Sequence, residues 1–392
     1  MGWNDNRNYS GYRKYNNKAA RLSFLVCSLM FVIFAAVYLG VMQRDLLEAI
    51  HLSMSKEPST FQVVPATITL IVILIILKLS LNLVMRLRGA AHALAYVPSF
   101  MGLVTMTAFG RDVYMKEFSY QWWWIMPVFT VVYVGIVVAV KRYAGKTTYR
   151  HDLMETVIWN VAIMLLLSVG TLCLGNTDRY LHNELRMENL MDDGRNSEAL
   201  RVAEKSLRTT RTMTALRMMA MTKEGKTGEL IFRYPQYYKE DGLFFDTDSA
   251  KTLRYTNDSV YAMLGETPET GETKMEFLKR IAENNDSCRM ARDYYMAGLM
   301  LEKNLEGLAK ELDIYVNRGD SLQRYMKEAA VMYKEKNPKW TTDIQDNDSA
   351  YTRRRMEYVE KQNAKYKSDM EERNKMRLEF GDTFWWYYDY QE

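Results

Sequence analysis

Residues 61–85, FQVVPATITLIVILIILKLSLNLVM, decide what kind of protein this sequence encodes. The stretch carries a single charged side chain, Lys78, and its segment 72–77 is aliphatic without interruption. A helix needs about 20 mostly apolar residues to cross a hydrocarbon core about 30 Å thick. The stretch therefore predicts a helix that spans a membrane.

Four further segments have a similar length and few charges, so we expect an all-α chain that begins with a bundle of about five transmembrane helices. The predicted spans are 22–42, 61–85, 89–109, 120–140 and 153–174. Segment 89–109 is the weakest, because it is rich in Ala and Gly and contains Pro98. The first span exceeds the apolar core of a signal peptide, which has about 7–15 residues, so we expect an uncleaved anchor.

The distribution of charge separates this apolar part from the rest of the chain. Residues 1–174 contain 16 Lys and Arg against 8 Asp and Glu, whereas residues 175–392 contain 36 against 40. We therefore expect a basic tail at 1–21, a transmembrane domain at 22–174 and a soluble domain at 175–392. The slightly acidic soluble domain argues against nucleic acid as a partner, which would need a concentrated basic face.

Basic residues in the short loops predict the orientation, because Lys and Arg are enriched on the cytoplasmic side. Eleven lie in the N-terminal tail and in the loops after the second and fourth spans, against four in the alternate loops. Five spans then place the N-terminus in the cytoplasm and the soluble domain outside. Trp122, Trp123 and Trp124 begin the fourth span at its outer end, where indole rings favour the headgroup region.

Polar residues inside the spans do not predict a transport path. Lys78 lies about two turns from the cytoplasmic end of its helix, so its ammonium group is expected to reach the interface by snorkelling. Asp152 and Glu155 lie in the first turn of the fifth span, where carboxylates are accommodated by the helix dipole. A membrane enzyme or small transporter with its site in the bundle is the alternative function, and Arg111, Asp112, Lys116 and Glu117 form its candidate outer-face site.

Catalytic, metal and cofactor motifs are absent from the sequence. The three cysteines form no CxxC pair, the four histidines lack zinc-site spacing, and HExxH, GxSxG, Walker A and GxGxxG motifs do not occur. We therefore predict no catalytic residue, no metal site and no cofactor.

The soluble domain has the pattern of short helices joined by polar turns. Gly194 and Gly225 are 31 residues apart, as are Ala199 and Leu230, which resembles the period near 34 of tetratricopeptide repeats. A plain helical domain without repeat symmetry is the alternative. The predicted helices are 179–191, 197–207, 212–223, 228–232, 286–303, 305–316, 321–334 and the long, highly charged 348–379.

Two aromatic stretches interrupt this pattern. Residues 233–273 combine turn formers with many aromatic residues, which indicates a loop packed onto the helices. The chain ends with FGDTFWWYYDYQE, residues 380–392, which either packs into the domain or returns to the membrane interface; we favour packing. The candidate residues for binding a protein, a peptide or an envelope component are Arg233, Tyr234, Gln236, Tyr237 and Tyr238.

Four blocks of the soluble half resemble an uncharacterised family of Bacteroidetes inner-membrane proteins, a domain of unknown function. The blocks are LIFRYPQ at 230–236, DYYMAGLMLEKNLEGLAKEL at 293–312, LQRYMKEAAVMY at 322–333 and FGDTFWWYY at 380–388. The resemblance implies a multi-pass anchor in a bacterial inner membrane, with tetratricopeptide-like helices in the periplasm. It carries no catalytic residues, and this chain looks short in its hydrophobic N-terminal region. The function that we expect is that of a membrane-anchored helical-repeat scaffold, with the lipid bilayer and an envelope component as partners.

Overall fold

The computed structural model describes residues 6–55, 61–87, 89–115, 122–144, 153–246, 252–284, 288–317, 321–340 and 349–391, and these ranges contain helices and no strand. The chain divides into two compact units, Met1–His182 and Asn183–Glu392. The all-α class is confirmed for the described residues. Each unit is described by itself.

The N-terminal unit contains four helices that are long and apolar enough to cross a membrane, namely Ala20–Met42, Val63–Met85, Trp122–Arg142 and Leu153–Leu174. Four of the five predicted spans thus correspond to long apolar helices. The α-helices are α1 (Asn6–Val37, extended by a π-helical turn at Tyr38–Met42), α2 (Arg44–Met54), α3 (Val63–Met85), α4 (Val97–Thr107), α5 (Trp122–Ala144) and α6 (Leu153–Leu174). The 3-10 helices lie at Gly89–Tyr96 and Arg111–Met115.

The long helices leave most of their apolar surface uncovered by protein. Only 11% of the apolar window of α5 and 17% of that of α6 is buried within the chain. Val131 and Leu166 are 73% and 72% exposed. Contiguous apolar surface of this extent is stable in lipid but not in water. The four helices therefore fit a membrane protein.

The predicted fifth span, 89–109, forms a 3-10 helix and then the 11-residue α4. Pro98 lies in the first turn of α4, where its missing N–H is of no consequence. Asn160 of α6 accepts from the Ala93 N–H at 2.7 Å and donates to the Gly89 carbonyl at 2.9 Å. The side chain thus satisfies backbone groups of the 3-10 helix, but whether 89–109 spans the membrane stays a prediction.

The C-terminal unit consists of short helices that enclose one apolar core. Its α-helices are α7 (Arg179–Asp192, whose first turn belongs to the other unit), α8 (Asn196–Ala199), α9 (Arg211–Lys223), α10 (Thr227–Leu230), α11 (Asn257–Leu264), α12 (Lys274–Asn284), α13 (Arg289–Leu301), α14 (Leu305–Asn317), α15 (Arg324–Lys336), α16 (Ser349–Gln362), α17 (Asp369–Phe380) and α18 (Phe384–Tyr390). Two 3-10 helices lie at Ile231–Arg233 and Lys239–Leu243.

The same turn closes three of these helices. Gly194 and Gly225 follow α7 and α9 with φ of 74° and 65°, and Lys303 follows α13 with φ of 60°. In each turn, the N–H of the residue that follows the positive-φ residue donates to the carbonyl five residues before it, which is the Schellman arrangement. The three bonds are Arg195 N to Leu190 O, Lys226 N to Met221 O and Asn304 N to Leu299 O. The 31-residue offset therefore corresponds to a repeated helix–turn–helix geometry.

The predicted helix 197–207 is wrong beyond Ala199, where α8 ends and a series of turns begins. Ala203 has φ of 50°, outside the α-helical region. Arg217 of α9 donates to the Val202 carbonyl at 3.1 Å. In a continued helix this oxygen would accept from a backbone N–H, but here it accepts from a side chain. A tertiary contact thus overrides the helical pattern.

The predicted long helix 348–379 is also wrong, because residues 363–368 divide it into α16 and α17. The Ser368 side chain accepts from the Glu371 N–H and caps α17. The break lets the chain turn back, so that Phe380 contacts Tyr358 with 5.2 Å between ring centres. In one straight helix these two residues would be about 33 Å apart.

The C-terminal aromatic tail forms α18 and packs into the core of the unit. Phe384 and Trp385 are fully buried. Glu328 of α15 accepts from the Phe384 N–H at 2.7 Å, and its carbonyl accepts from the Trp385 indole at 2.7 Å. The preferred prediction for the tail is confirmed. In the 233–273 stretch Tyr234, Phe244 and Phe245 are buried, as expected, but residues 257–264 form α11, so the prediction of a loop is wrong there.

Candidate functional site

The predicted binding residues lie at a cavity of about 470 Å³ in the C-terminal unit, here called the 233–237 pocket. Arg233, Tyr234, Gln236 and Tyr237 line it, together with residues of α17 and α18. Tyr238 is not among the lining residues; its hydroxyl donates to the Thr209 carbonyl at 3.5 Å. The structure thus brings together four of the five candidates.

Two of the four are structural supports of the pocket wall. Tyr234 is buried, and its hydroxyl donates to the Leu200 carbonyl at 2.9 Å. Gln236 is buried as well. Its side-chain amide donates to the Ile231 carbonyl at 2.7 Å, and its backbone carbonyl accepts from the Gln391 side chain at 2.6 Å. Because the polar groups of Tyr234 and Gln236 form hydrogen bonds within the protein, these residues hold the pocket wall in place.

Arg217, a buried residue of α9, stabilises this wall by packing against Tyr234. Its guanidinium carbon lies 4.5 Å from the centre of the Tyr234 ring, which is cation–π geometry. Burial lowers the pKa of Arg217 to about 10 and raises that of the Tyr234 phenol. Arg217 stays protonated at neutral pH, because that value remains well above 7. The buried cation therefore ties α9 to the pocket loop.

The other two candidates face solvent. The Tyr237 side chain is 50% exposed, and its hydroxyl donates at 2.8 Å to the carbonyl of Leu207, which is itself 65% exposed. Arg233 is also exposed and forms an ion pair with Glu204. An aromatic ring, an aliphatic side chain and a guanidinium group thus stand together at the mouth of the pocket.

The C-terminal helices supply the remaining wall. Arg373 and Arg377 are one turn apart on α17, and both line the pocket. The guanidinium carbon of Arg377 lies 5.7 Å from the centre of the Trp386 ring. Trp386 is 7% exposed, and in the described part of the chain its indole N–H has no hydrogen-bond acceptor. This wall therefore combines two exposed guanidinium groups with a buried indole N–H that lacks an acceptor among the described residues.

Charge around the pocket is predominantly positive. Of its two carboxylates, Glu204 pairs with Arg233, and Asp382 pairs with Arg324 at 2.9 Å and with Arg354 at 3.2 Å. Among the residues that the structure describes, no carboxylate pairs with the three other cations at the pocket. These are Lys205, Arg373 and Arg377. Such an arrangement attracts an anionic ligand.

The sequence contains no signal that would have located the second wall. Arg373 and Arg377 belong to a segment in which opposite charges alternate at helical spacing, which is typical of a solvated helix surface. Their contribution depends on the packing of α17 and α18 against a loop about 140 residues earlier in the chain. Only the tertiary structure reveals that proximity.

A second polar cluster lies in the N-terminal unit around Lys78. The side chain is 1% exposed, and its ammonium nitrogen lies 4.2 Å from the centre of the Phe24 ring and 4.5 Å from that of Tyr96. His92 is buried beside the same two rings. The snorkelling expected for Lys78 is therefore wrong, because cation–π contacts with two other elements hold its ammonium inside the unit.

The remaining predictions about sites are tested only in part. Among the described residues, no three His, Cys, Asp or Glu side chains are close enough to hold a metal ion. Lys116 and Glu117 lie outside the described residues, as do Lys56, Arg88, Lys146, Arg150 and Asp152 from the orientation and polar-residue arguments. The alternative outer-face site therefore stays a prediction.

Comparison with known proteins identifies a family but no characterised relative. No curated protein and no solved structure matches the chain significantly. One family profile, described as a family of unknown function (DUF6057), matches residues 9–276 and again residues 267–391. These matches include both the apolar helices and the pocket residues, and together they cover most of the sequence. The chain therefore belongs to the DUF6057 family of unknown function.

Proposed function

We propose that this protein is a multi-pass scaffold of a bacterial inner membrane, whose helical unit faces the periplasm and binds a peptide, protein or envelope component. The observation that carries the proposal is the 233–237 pocket. It lies at the residues that the sequence singled out, and it joins exposed Leu207 and Tyr237 to cations that have no carboxylate partner in the described part of the chain. A volume of about 470 Å³ falls within the range of about 300–1,000 Å³ that is usual for ligand sites.

The repeated helix–turn–helix geometry supports a scaffold. Stacked helical repeats bury a continuous core and leave a surface for binding partners. The Schellman turns after α7, α9 and α13 are the recurrent feature of this unit. We include in the proposal that the unit is tetratricopeptide-like, although its repeats differ in length.

The proposed orientation requires 89–109 to cross the membrane as a fifth span. Its 8-residue 3-10 helix and 11-residue α4 would each rise about 16 Å, so end to end they match a core of about 30 Å. The hydrogen bonds between Asn160 and the 3-10 helix support the crossing, because backbone N–H and carbonyl groups at membrane depth need hydrogen-bond partners within the protein. Reporter fusions after Val140 and after Leu174 should report the cytoplasmic and the outer side, respectively, and the reverse assignment would refute the proposed orientation.

Binding is tested by crosslinking in cells, followed by purification in mild detergent. The double variant Arg233→Ala/Tyr237→Ala alters the mouth of the pocket, and Lys279→Ala on α12 is a matched exposed control. We expect the pocket variant to lose partners that the wild type and the control retain. Identical partners in all three proteins would contradict a binding role for this surface.

The Lys78 cluster is the observation that supports the alternative function, a membrane enzyme or small transporter. An ionisable side chain buried between membrane helices is a functional candidate by default. If the cluster has only a packing role, Lys78→Met should preserve both assembly in detergent and the phenotype of the cell. A stable Lys78→Met protein that fails to complement a deletion would support the alternative.

A further inference from the structure

The 233–237 pocket has more hydrogen-bond donors than the protein itself satisfies. Lys205, Arg373 and Arg377 lack carboxylate partners among the described residues. The Trp386 indole N–H, which is buried at the same pocket, has no acceptor there either. Lys205, Arg373 and Arg377 are exposed, so their charged groups are accessible to a ligand.

We propose that the pocket binds an acidic peptide segment, whose carboxylates pair with Arg373 and Arg377 and whose apolar side chains contact Leu207 and Tyr237. This inference rests on the proposed binding function and names the chemical class of the partner. Arginine suits the role, because its planar guanidinium donates two parallel hydrogen bonds to one carboxylate.

The spacing of the cations favours a peptide over a single small anion. Arg373 and Arg377 are separated by about 6 Å along α17, and Lys205 comes from a different part of the chain. Groups spread in this way match successive carboxylates along a chain better than one compact anion.

Two backbone donors at the start of α18, where a phosphate could bind, are already occupied. Phosphate sites commonly use the free N–H groups at the start of a helix. At the start of α18, the Phe384 N–H donates to Glu328 at 2.7 Å and the Trp386 N–H donates to the Thr383 hydroxyl at 3.2 Å. The pocket is therefore built from side chains rather than from a phosphate-binding backbone.

The mouth of the pocket supplies the apolar part of the recognition. Leu207 and Tyr237 are exposed side by side, and the hydrogen bond from the Tyr237 hydroxyl to the Leu207 carbonyl holds them together. Aromatic and arginine side chains together are the residues that contribute most to peptide and protein binding. A peptide that alternates acidic and apolar side chains would satisfy both parts.

The test uses the full-length protein, purified in detergent and immobilised, and a phage library of random octapeptides as the probe. The library is selected in parallel on the wild type, on Arg373→Gln/Arg377→Gln and on Lys375→Gln. Lys375 lies on the same helix, is exposed, pairs with Glu371 at 2.9 Å and does not line the pocket. Both arginines are exposed, but Arg377 also contacts the Trp386 ring, so the urea midpoint of the double variant is measured beside its binding to confirm that the fold is retained.

We expect the wild type and Lys375→Gln to select peptides enriched in Asp and Glu beside apolar residues. The affinity of a selected peptide should fall roughly tenfold for each arginine removed. Arg373→Lys/Arg377→Lys should restore part of that loss, because it keeps the charge but not the paired hydrogen bonds.

Each contrary result has a distinct meaning. Selected peptides without acidic enrichment, or equal binding to the double Gln variant, would overturn the acidic-peptide inference but leave a binding function in place. Binding of inorganic phosphate as tight as that of the peptides would overturn it in favour of a phosphate site. Failure to select any peptide on the wild type, together with unchanged cellular partners of Arg233→Ala/Tyr237→Ala, would refute the proposed function as well.

Discussion

Replacing Trp385 by Ala is expected to destabilise the C-terminal unit strongly, because this side chain anchors α18. The indole ring is fully buried, and its N–H donates to the Glu328 carbonyl at 2.7 Å. The ring also lies 5.9 Å from that of Tyr358 and 5.6 Å from the guanidinium of Arg355. Since Trp386 and Gln391 of the same tail line the 233–237 pocket, loss of α18 would also remove one of its walls.

The size of the effect follows from burial and hydrogen bonding. Truncating a buried Trp to Ala costs about 3–5 kcal/mol. Trp385→Phe keeps most of the packing and loses the hydrogen bond, which is worth about 1–2 kcal/mol. Leu378→Ala on α17 is the matched control, because Leu378 is 88% exposed and its loss should change the free energy of unfolding by less than about 0.5 kcal/mol. Domains are stable by about 5–15 kcal/mol, so the Ala variant should lose between about a fifth and nearly all of that stability.

The assay is urea unfolding of the full-length protein in detergent, followed by pulse proteolysis of the C-terminal unit. The expected order of destabilisation is Trp385→Ala, then Trp385→Phe, then Leu378→Ala. Hydrogen exchange in α15 and α18 should rise in the same order, because the two helices are joined through Glu328. A Trp385→Ala variant as stable as Leu378→Ala would refute the packing of the tail and favour its alternative position at the membrane interface.

Three further variants test other buried polar groups. Burial raises the pKa of Glu188 to about 7 from 4.5, so the folded protein holds a proton that the unfolded chain releases. The free energy of unfolding should therefore fall by up to about 3 kcal/mol between pH 4.5 and 7, and urea titrations of Glu188→Gln should show a flatter dependence. Arg217→Met should cost about 2 kcal/mol in the same assay at neutral pH, because two backbone carbonyls lose a charged donor; an unchanged midpoint would contradict its supporting role. Asn160→Ala should lower the melting temperature in detergent, because it frees two backbone groups of the 3-10 helix, whereas Ser168→Ala, which removes only a bond within α6, should have little effect.

A small part of the pocket wall was named from the sequence. Aromatic residues beside Pro235 and Arg233 in a turn-rich stretch indicated a packed loop with candidate binding residues, and four of those five candidates are among the 17 residues that line the pocket. The same composition could not separate buried supports such as Tyr234 from exposed contacts such as Tyr237. Both hydroxyls donate to a backbone carbonyl, so the distinction depends on where each ring packs in the tertiary structure, and residue type alone does not determine it.

Local chemistry determined the helical class, the long apolar helices and the glycine turns. A run such as 61–85 has no stable state in water, and Gly194 and Gly225 adopt a positive φ at low cost, so both features follow from residues adjacent in the chain. The tertiary structure alone decided where α8 ends, how α16 and α17 fold back, and that Lys78 lies between two aromatic rings. In each of these cases a partner distant in the sequence supplies the interaction energy. Arg217 holds the Val202 carbonyl in the turns that follow α8, Tyr358 contacts Phe380, and Phe24 and Tyr96 contact the Lys78 ammonium.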